Sequence, residues 1–387
     1  MRYSTLARRL VLAAAVSTLG GLSESTLAAG GPLIIAHRGA SGHRPEHTLE
    51  AYRMAMAMGA DYLEPDLVMT TDGHLVVRHE PMLGATTDVG RHPEFAARRT
   101  TRQVDGVSVT DWFASDFTLA EIRRLRAVQP RAERDQQFNG RYGIPTFDEV
   151  IALAKGASRT VGIYPEIKHS TFHADIFGAH DIEDTLVATL HAHYDNSASA
   201  PVFIQSFEVA NLQYLHTRTN IRLIQLIAGH DLRADGSVGL VAPLDRPFDF
   251  VVAGDPRTYA DLLSAAGLEF VNDYAAGIGP WKPYLLITVD DGVDRDGDGR
   301  QSVADRRVAG GTGIIERAHG AGLLVHAWTF RDDAGSHGFA DPVAEVAHYF
   351  ALGVDGVFTD FPATGVAARR GLLSGTAPAE GSSSAEP

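Results

Sequence analysis

Two histidines and three carboxylates in this chain stand at the ends of short apolar runs. His37 closes LIIAH, Glu64 and Asp66 sit in YLEPDLVM, His79 follows HLVVR, and Glu166 ends VGIYPE. A histidine gains or loses a proton near neutral pH. Carboxylates hold hard, oxygen-loving cations. One site with both can move protons and neutralise a phosphate, so these residues point to metal-assisted hydrolysis of a phosphate ester. Glu64 and Asp66 are two apart, which on a strand puts both on one face. Three carboxylates suit Ca²⁺, and after it Mg²⁺, rather than zinc, which prefers His and Cys. Without a cation such a cluster would repel itself and raise its own pKa values.

The elements that must position these groups alternate along the chain. Apolar, β-rich runs predict strands near Leu33–Ala36, Tyr62–Val68, Val161–Glu166, Val202–Ser206, Arg222–Ile227, Gly277–Pro280, Leu323–Trp328 and Gly356–Thr359. Between them, Thr48–Met58, Thr146–Lys155, Ile182–Tyr194, Glu208–Leu215, Arg257–Ala266, Gly313–His319 and Val343–Leu352 carry apolar residues three or four apart and read as helices. His74–Arg78 reads as an added strand pairing back after the Asp72-Gly73 turn. Buried, non-alternating strands separated by helices mean a parallel sheet, and eight such units fit a closed (β/α)8 TIM barrel. His37, Glu64, Asp66, Glu166, Gln205, Trp328 and Asp360 fall at the C-terminal ends of the runs, the face that carries the site in barrels. An open doubly wound sheet gives no reason for that placement.

Two stretches break the pattern. Residues 81–142 show no clear strand, are rich in Arg, Asp and Thr, and read as an insertion after the second barrel strand that caps the mouth. Residues 373–387 are Gly, Ser, Ala, Glu and Pro and are expected to be disordered. The barrel would then occupy residues 30–372.

Composition bounds the rest. Apolar residues make up 44% and charged residues 21% of 387, ordinary for a soluble globular protein. A net charge of −14 argues against nucleic acid as a partner, though a bound cation can invert the field locally for an anionic substrate. Residues 1–29 carry a basic start (Arg2, Arg8, Arg9), an apolar run Leu10–Leu22 and the small pair Ala28-Ala29, the pattern of a signal peptide for periplasmic or secreted proteins. The Arg8-Arg9 pair resembles a twin-arginine signal. The chain has no cysteine, so an exported form cannot use disulfides and relies on core packing, which a metal can supplement. No later segment has eighteen uninterrupted apolar residues, so stable membrane insertion is not expected. The oligomeric state stays open, a homodimer included.

The ordered segments IIAHRGASGHRPEHTLEAY, GADYLEPDLVMTTDGHLVVRHE, TDV at Thr87–Val89, DFTLAEI, IPTFDEV, VGIYPEIK, IQLIA, GIGP and GVFTDFPA span nearly all of the chain after the leader. In this order they resemble the periplasmic glycerophosphodiester phosphodiesterases. The resemblance implies hydrolysis of small glycerophosphodiesters to glycerol 3-phosphate and an alcohol. It places the general acid and base on His37 and His79 and the metal carboxylates on Glu64, Asp66 and Glu166. Arg38 offers a planar fork for a phosphate oxygen, or a structural bridge to Glu64 or Asp66. Lys168, two past Glu166, can neutralise phosphate or form a plain salt bridge. Glu46 can line a polar pocket or cap a helix, and Trp328 can wall glycerol carbons or fill core. Pro65 between the two carboxylates should leave the strand paired on one side only at that residue, or force a bulge, because proline has no N–H. Glu80 stands where the family more often has Asp.

A second metal signal is independent. Asp294, Asp296 and Asp298 before Gly299 match the start of a calcium loop, with Asp305 at the twelfth position where Glu is usual. The readings are a structural Ca²⁺ or an acidic surface turn, and the flanks do not look like paired helices. Two other functions compete with the first: a phospholipase-D-like or phosphatidylinositol-specific enzyme on the same barrel, and a non-catalytic glycerophosphodiester-binding protein. The polar, Arg-rich insertion argues against the former. The intact His37, Glu64, Asp66, His79 and Glu166 argue against the latter.

Overall fold

The computed structural model describes residues 31–375, apart from 296, 335–337 and 340. Residues 1–30, on which the expected signal peptide falls, Asp296 and residues 376–387 lie outside the described residues. The first barrel strand, Leu33–His37, pairs in parallel with both Gly356–Thr359 and Tyr62–Glu64. From there the ring continues through Gly162–Ile163 and Glu166–Ile167, Phe203–Ser206, Arg222–Ile227, Gly277–Pro280 and Leu324–Phe330, and back to Gly356–Thr359. Eight strands therefore close into the expected barrel, with helices outside. Leu75–Val77 is the added antiparallel strand beside Asp66–Met69.

Period-2 alternation decides what lies inside. Ile35, Tyr164, Phe203, Ile224 and Phe358 pack as the inner core, with Tyr62 against them. Their neighbours Ile34, Ala36, Leu63, Ile163 and Ile204 face the helices in the large outer core. Two residues past each inner residue stand His37, Glu166, Gln205, Leu226 and Asp360, and two past Tyr62 stands Glu64. The site is thus the layer directly above the inner core. Buried Tyr164 finds a partner for its hydroxyl in His326 Nδ1, 2.8 Å away.

Pro65 splits the second strand, as proline requires. Tyr62–Glu64 pairs on both sides, and Asp66–Met69 begins again against other neighbours. Pro165 splits the third strand in the same register. Because both prolines lack an N–H, they offer only carbonyls, which accept from Glu166 N (3.0 Å) and Gln205 N (2.9 Å).

Helix boundaries follow local chemistry. Thr48 accepts from Ala51 N to open Leu49–Met58, and Gly59, at φ 96°, closes it. Thr146 and Glu149 form a capping box before Phe147–Lys155. The single helix expected over Arg257–Ala266 is instead two, Tyr259–Leu262 and Ala265–Asn272, because Ser264 caps a new start. A further helix, Pro362–Ser374, packs against the first strand and enters the stretch expected to be disordered. Its buried Val366 and Ala368 give that extension an anchor.

The segment from Pro81 to Tyr142 does contain strands, contrary to expectation. Thr100–Val104 and Val107–Asp111 form a hairpin turning at Asp105-Gly106, with φ values of 48° and 77°. Asp-Gly is a strong two-residue turn signal. The segment builds a small core of its own from Leu83, Val89, Phe95, Ala114, Phe117 and Ile122 against Val68 and Val76. Among the described residues, no helix is long and apolar enough to cross a membrane.

Candidate active site

After His37 the chain turns sharply. Arg38 (φ 58°) and Gly39 (φ 86°) both adopt left-handed backbone. A Cβ at Gly39 would lie 2.8 Å from the Ala51 carbonyl carbon, so only glycine fits. The turn points the Arg38 N–H at Glu64 Oε2, 2.7 Å away. Left-handed backbone at a non-glycine residue costs about 1 kcal/mol or more and concentrates at functional sites.

Glu64, Asp66 and Glu166 converge: one oxygen from each lies within 4.8 Å of the others, and all three residues are buried. Each has a supporting partner. Gln205 Nε2 donates to Glu64 Oε1 at 3.0 Å. His47 Nε2 stands 2.8 Å from Asp66 Oδ2, its other nitrogen 2.8 Å from the Tyr52 hydroxyl. Lys168 Nζ lies 2.7 Å from Glu166 Oε1 and 3.8 Å from Asp66 Oδ1. Asp66 Oδ1 is buried with no hydrogen-bond partner, a costly state that a cation would relieve. The donors are all oxygen, so the residues fit a hard divalent cation. Burial, with Asp66 and Glu166 adding to it, pushes Glu64 well above the usual carboxylate range. Burial likewise moves Glu166 up to about 8. Asp66 goes the other way: against its burial, Lys168 and then His47 hold it well below that range.

The two histidines flank this cluster, and a carboxylate holds each. His37 Nδ1 is 2.6 Å from Asp360 Oδ1. Asp360 Oδ2 accepts from Arg134 Nη2 (2.5 Å) and Arg331 Nε (2.8 Å). His79 Nδ1 is 2.8 Å from Glu80 Oε1. With Nδ1 engaged, each ring keeps Nε2 for the cleft. Burial, and then Arg38, lowers both histidines, His37 to about 3.

The cleft brings together His37, Arg38, Glu64, His79, Glu166 and Lys168, with Phe207, Leu226, Trp328 and Phe358 as an apolar wall. Trp328 is thus on the wall, anchored by its Nε1–H to the Gly279 carbonyl at 2.7 Å. Glu46 does not line the cleft. It stands behind Arg38, accepting from Nη1 at 3.0 Å, while Thr48 rather than Glu46 caps the helix. Arg38 faces the cleft and also braces Glu64, Glu46 and Asp66, the last at 3.6 Å.

Sequence reading left Asp360, His47, Gln205, Arg134 and Arg331 without roles. Asp360 and Gln205 carried a signal, since both end inward-facing strand runs. Arg134 carried none, because it reaches Asp360 from 226 residues away. Outside the cleft, the acidic loop joins the antiparallel strands Leu286–Val289 and Arg307–Gly311. There Asp294 accepts the N–H groups of Gly297 and Gly299, and Asp298 that of Arg300. Buried Asp305 accepts those of Arg295 and Ser302.

A (β/α)8 barrel with two imidazoles, two cations and three carboxylates at the C-terminal ends of its strands has the equipment of a phosphate-ester hydrolase. The chain belongs to the glycerophosphoryl diester phosphodiesterase family, whose profile matches residues 37–364, and it is an enzyme of that activity. It is 36% identical over 344 residues to the Arabidopsis thaliana glycerophosphodiester phosphodiesterase GDPD6, covering 85% of this chain and 84% of that one. Against a Haemophilus influenzae glycerophosphodiester phosphodiesterase it is 30% identical over 407 residues, covering 96% and 100%. Its fold matches an Oleispira antarctica phosphodiesterase solved in complex with the product sn-glycerol-3-phosphate. That match has a TM-score of 0.55 at 18% identity and covers 87% and 96% of the two chains.

Proposed function

We propose that the enzyme hydrolyses glycerophosphodiesters to glycerol 3-phosphate and an alcohol with His37 and His79 as its proton-transfer pair and a divalent cation, Ca²⁺ ahead of Mg²⁺, on Glu64, Asp66 and Glu166. The observation that carries this reading is the pairing of two carboxylate-held histidines with the buried carboxylate cluster in one cleft. The cation, when bound, supplies Lewis acidity to phosphate oxygens. Arg38 and Lys168 add fixed positive charge where the phosphate would sit. One histidine, neutral, takes the proton of the attacking hydroxyl on Nε2, and the other, entering the step as imidazolium, gives its Nε2 proton to the leaving alkoxide. Phe207 and Trp328 offer the apolar side on which glycerol carbons can lie. Export belongs to the same proposal and rests on residues 1–29 alone.

The test is glycerol 3-phosphate release from glycerophosphocholine, with and without chelator. His37→Ala and His79→Ala should each lower turnover by about 10²–10⁴-fold. Near wild-type turnover in either variant would remove that histidine from the mechanism. Release untouched by chelator would remove the metal.

A further inference from the structure

We propose that Asp105 and His169 are positioning residues for His79, so that the hairpin of residues 100–111 completes the active site through a relay of side chains. The relay runs His79, Glu80, His169, Asp105. Glu80 Oε1 lies 2.8 Å from His79 Nδ1, and its other oxygen lies 3.0 Å from His169 Nε2. His169 Nδ1 lies 2.8 Å from Asp105 Oδ2. Both ring nitrogens of His169 therefore face carboxylates.

An imidazole can donate from both nitrogens only when protonated, so the geometry makes His169 an imidazolium. Burial opposes that charge, but Asp105 and then Glu80 raise it to about 10. A fixed cation behind Glu80 has two effects on His79. It ties down Oε2, so the carboxylate cannot swing, and it keeps Glu80 ionised. Oε1 can then accept only an N–H, which places the His79 proton on Nδ1 and leaves Nε2 as the reacting nitrogen. Asp105 matters in turn because it balances the His169 charge, leaving Glu80 free to stabilise positive charge that develops on His79.

The backbone is shaped for this relay. His169 and Asp105 both hold left-handed conformations, at φ 53° and 48°. Asp105 is the first residue of the hairpin turn, so the turn itself presents its carboxylate. The hairpin is docked independently of the relay: Val104, Phe113 and Phe172 pack together, with Phe172 on the helix Ser170–Ile176 that directly follows His169. The relay thus links an inserted hairpin to a barrel loop and to a reacting ring.

This inference rests on the reading of His79 as a proton-transfer group. Asp105→Gly and His169→Asn remove the relay while suiting left-handed backbone, so the turns should persist. With glycerophosphocholine under full cation loading, both should lower kcat about tenfold and leave KM nearly unchanged. Added imidazole should restore part of kcat to His169→Gly, since glycine also suits that backbone. Unchanged kcat in Asp105→Gly and His169→Asn, with His79→Ala inactive, overturns the relay but leaves the proposed function standing. A change in KM or melting temperature without a change in kcat also overturns it, because that marks a binding or structural role. An active His79→Ala overturns the reading of His79 itself.

Discussion

Asp360 grips His37 from behind, with 2.6 Å between Oδ1 and Nδ1, although 323 residues separate the two in sequence. The carboxylate is itself clamped by Arg134 and Arg331. His37 is therefore held in one orientation before substrate arrives, with Nε2 available for chemistry. Asp360→Asn would keep the shape and lose the charge that steadies a protonated ring. By analogy with the carboxylate of a hydrolase triad, kcat should fall by about 10²–10⁴-fold with little change in KM. Steady-state kinetics on glycerophosphocholine will show whether the loss is in kcat.

Removal of the cation should silence the enzyme and soften it. Chelator-treated wild type should regain turnover and gain melting temperature when Ca²⁺ is added. A ligand at one hundred times its Kd stabilises by about 2.7 kcal/mol. Glu166→Gln should show neither response and retain less than about a hundredth of wild-type activity. Paired thermal scans and turnover assays would expose a Glu166→Gln protein that still responds to Ca²⁺.

Arg78 is the largest wholly buried side chain among the described residues, yet its partners are carbonyls. It donates to Val77 (2.6 Å), Glu46 (2.7 Å), His47 (3.2 Å) and Thr86 (3.1 Å). Lysine cannot span that set, and each abandoned buried acceptor costs about 1–3 kcal/mol. Arg78→Lys should lower unfolding free energy by about 3 kcal/mol or more in urea titrations. Turnover should fall too, because Glu46 braces Arg38 and His47 braces Asp66.

The raised pKa of His169 has a signed consequence for stability. Its folded value, about 10, exceeds the ordinary 6.5 of the unfolded chain. The stability it contributes is therefore fully present below pH 6.5 and is lost as pH rises through 10. Urea midpoints of chelated wild type and His169→Asn should differ most near pH 6 and converge above pH 10. A gap that stays constant across that range would show that the ring is not an imidazolium in the fold.

The sequence by itself determined the barrel and the placement of the candidate groups on its rim, because both are written in local pattern. Buried β runs alternating with helical spacing leave few arrangements other than a closed parallel ring. A polar residue two positions past an inward-facing apolar one must stand on the rim of that ring. His37, Glu64, Glu166, Gln205 and Asp360 could all be placed by that rule, and Asp105-Gly106 carried a turn signal in a segment expected to lack strands. What only the tertiary structure decided is which side chain braces which. Arg134 meets Asp360, His47 meets Asp66, and Asp105 meets His169, each across a chain separation whose register no local pattern encodes. Glu46 left the pocket for the same reason: where its carboxylate points depends on the guanidinium it meets, and that meeting exists only after the strands have closed.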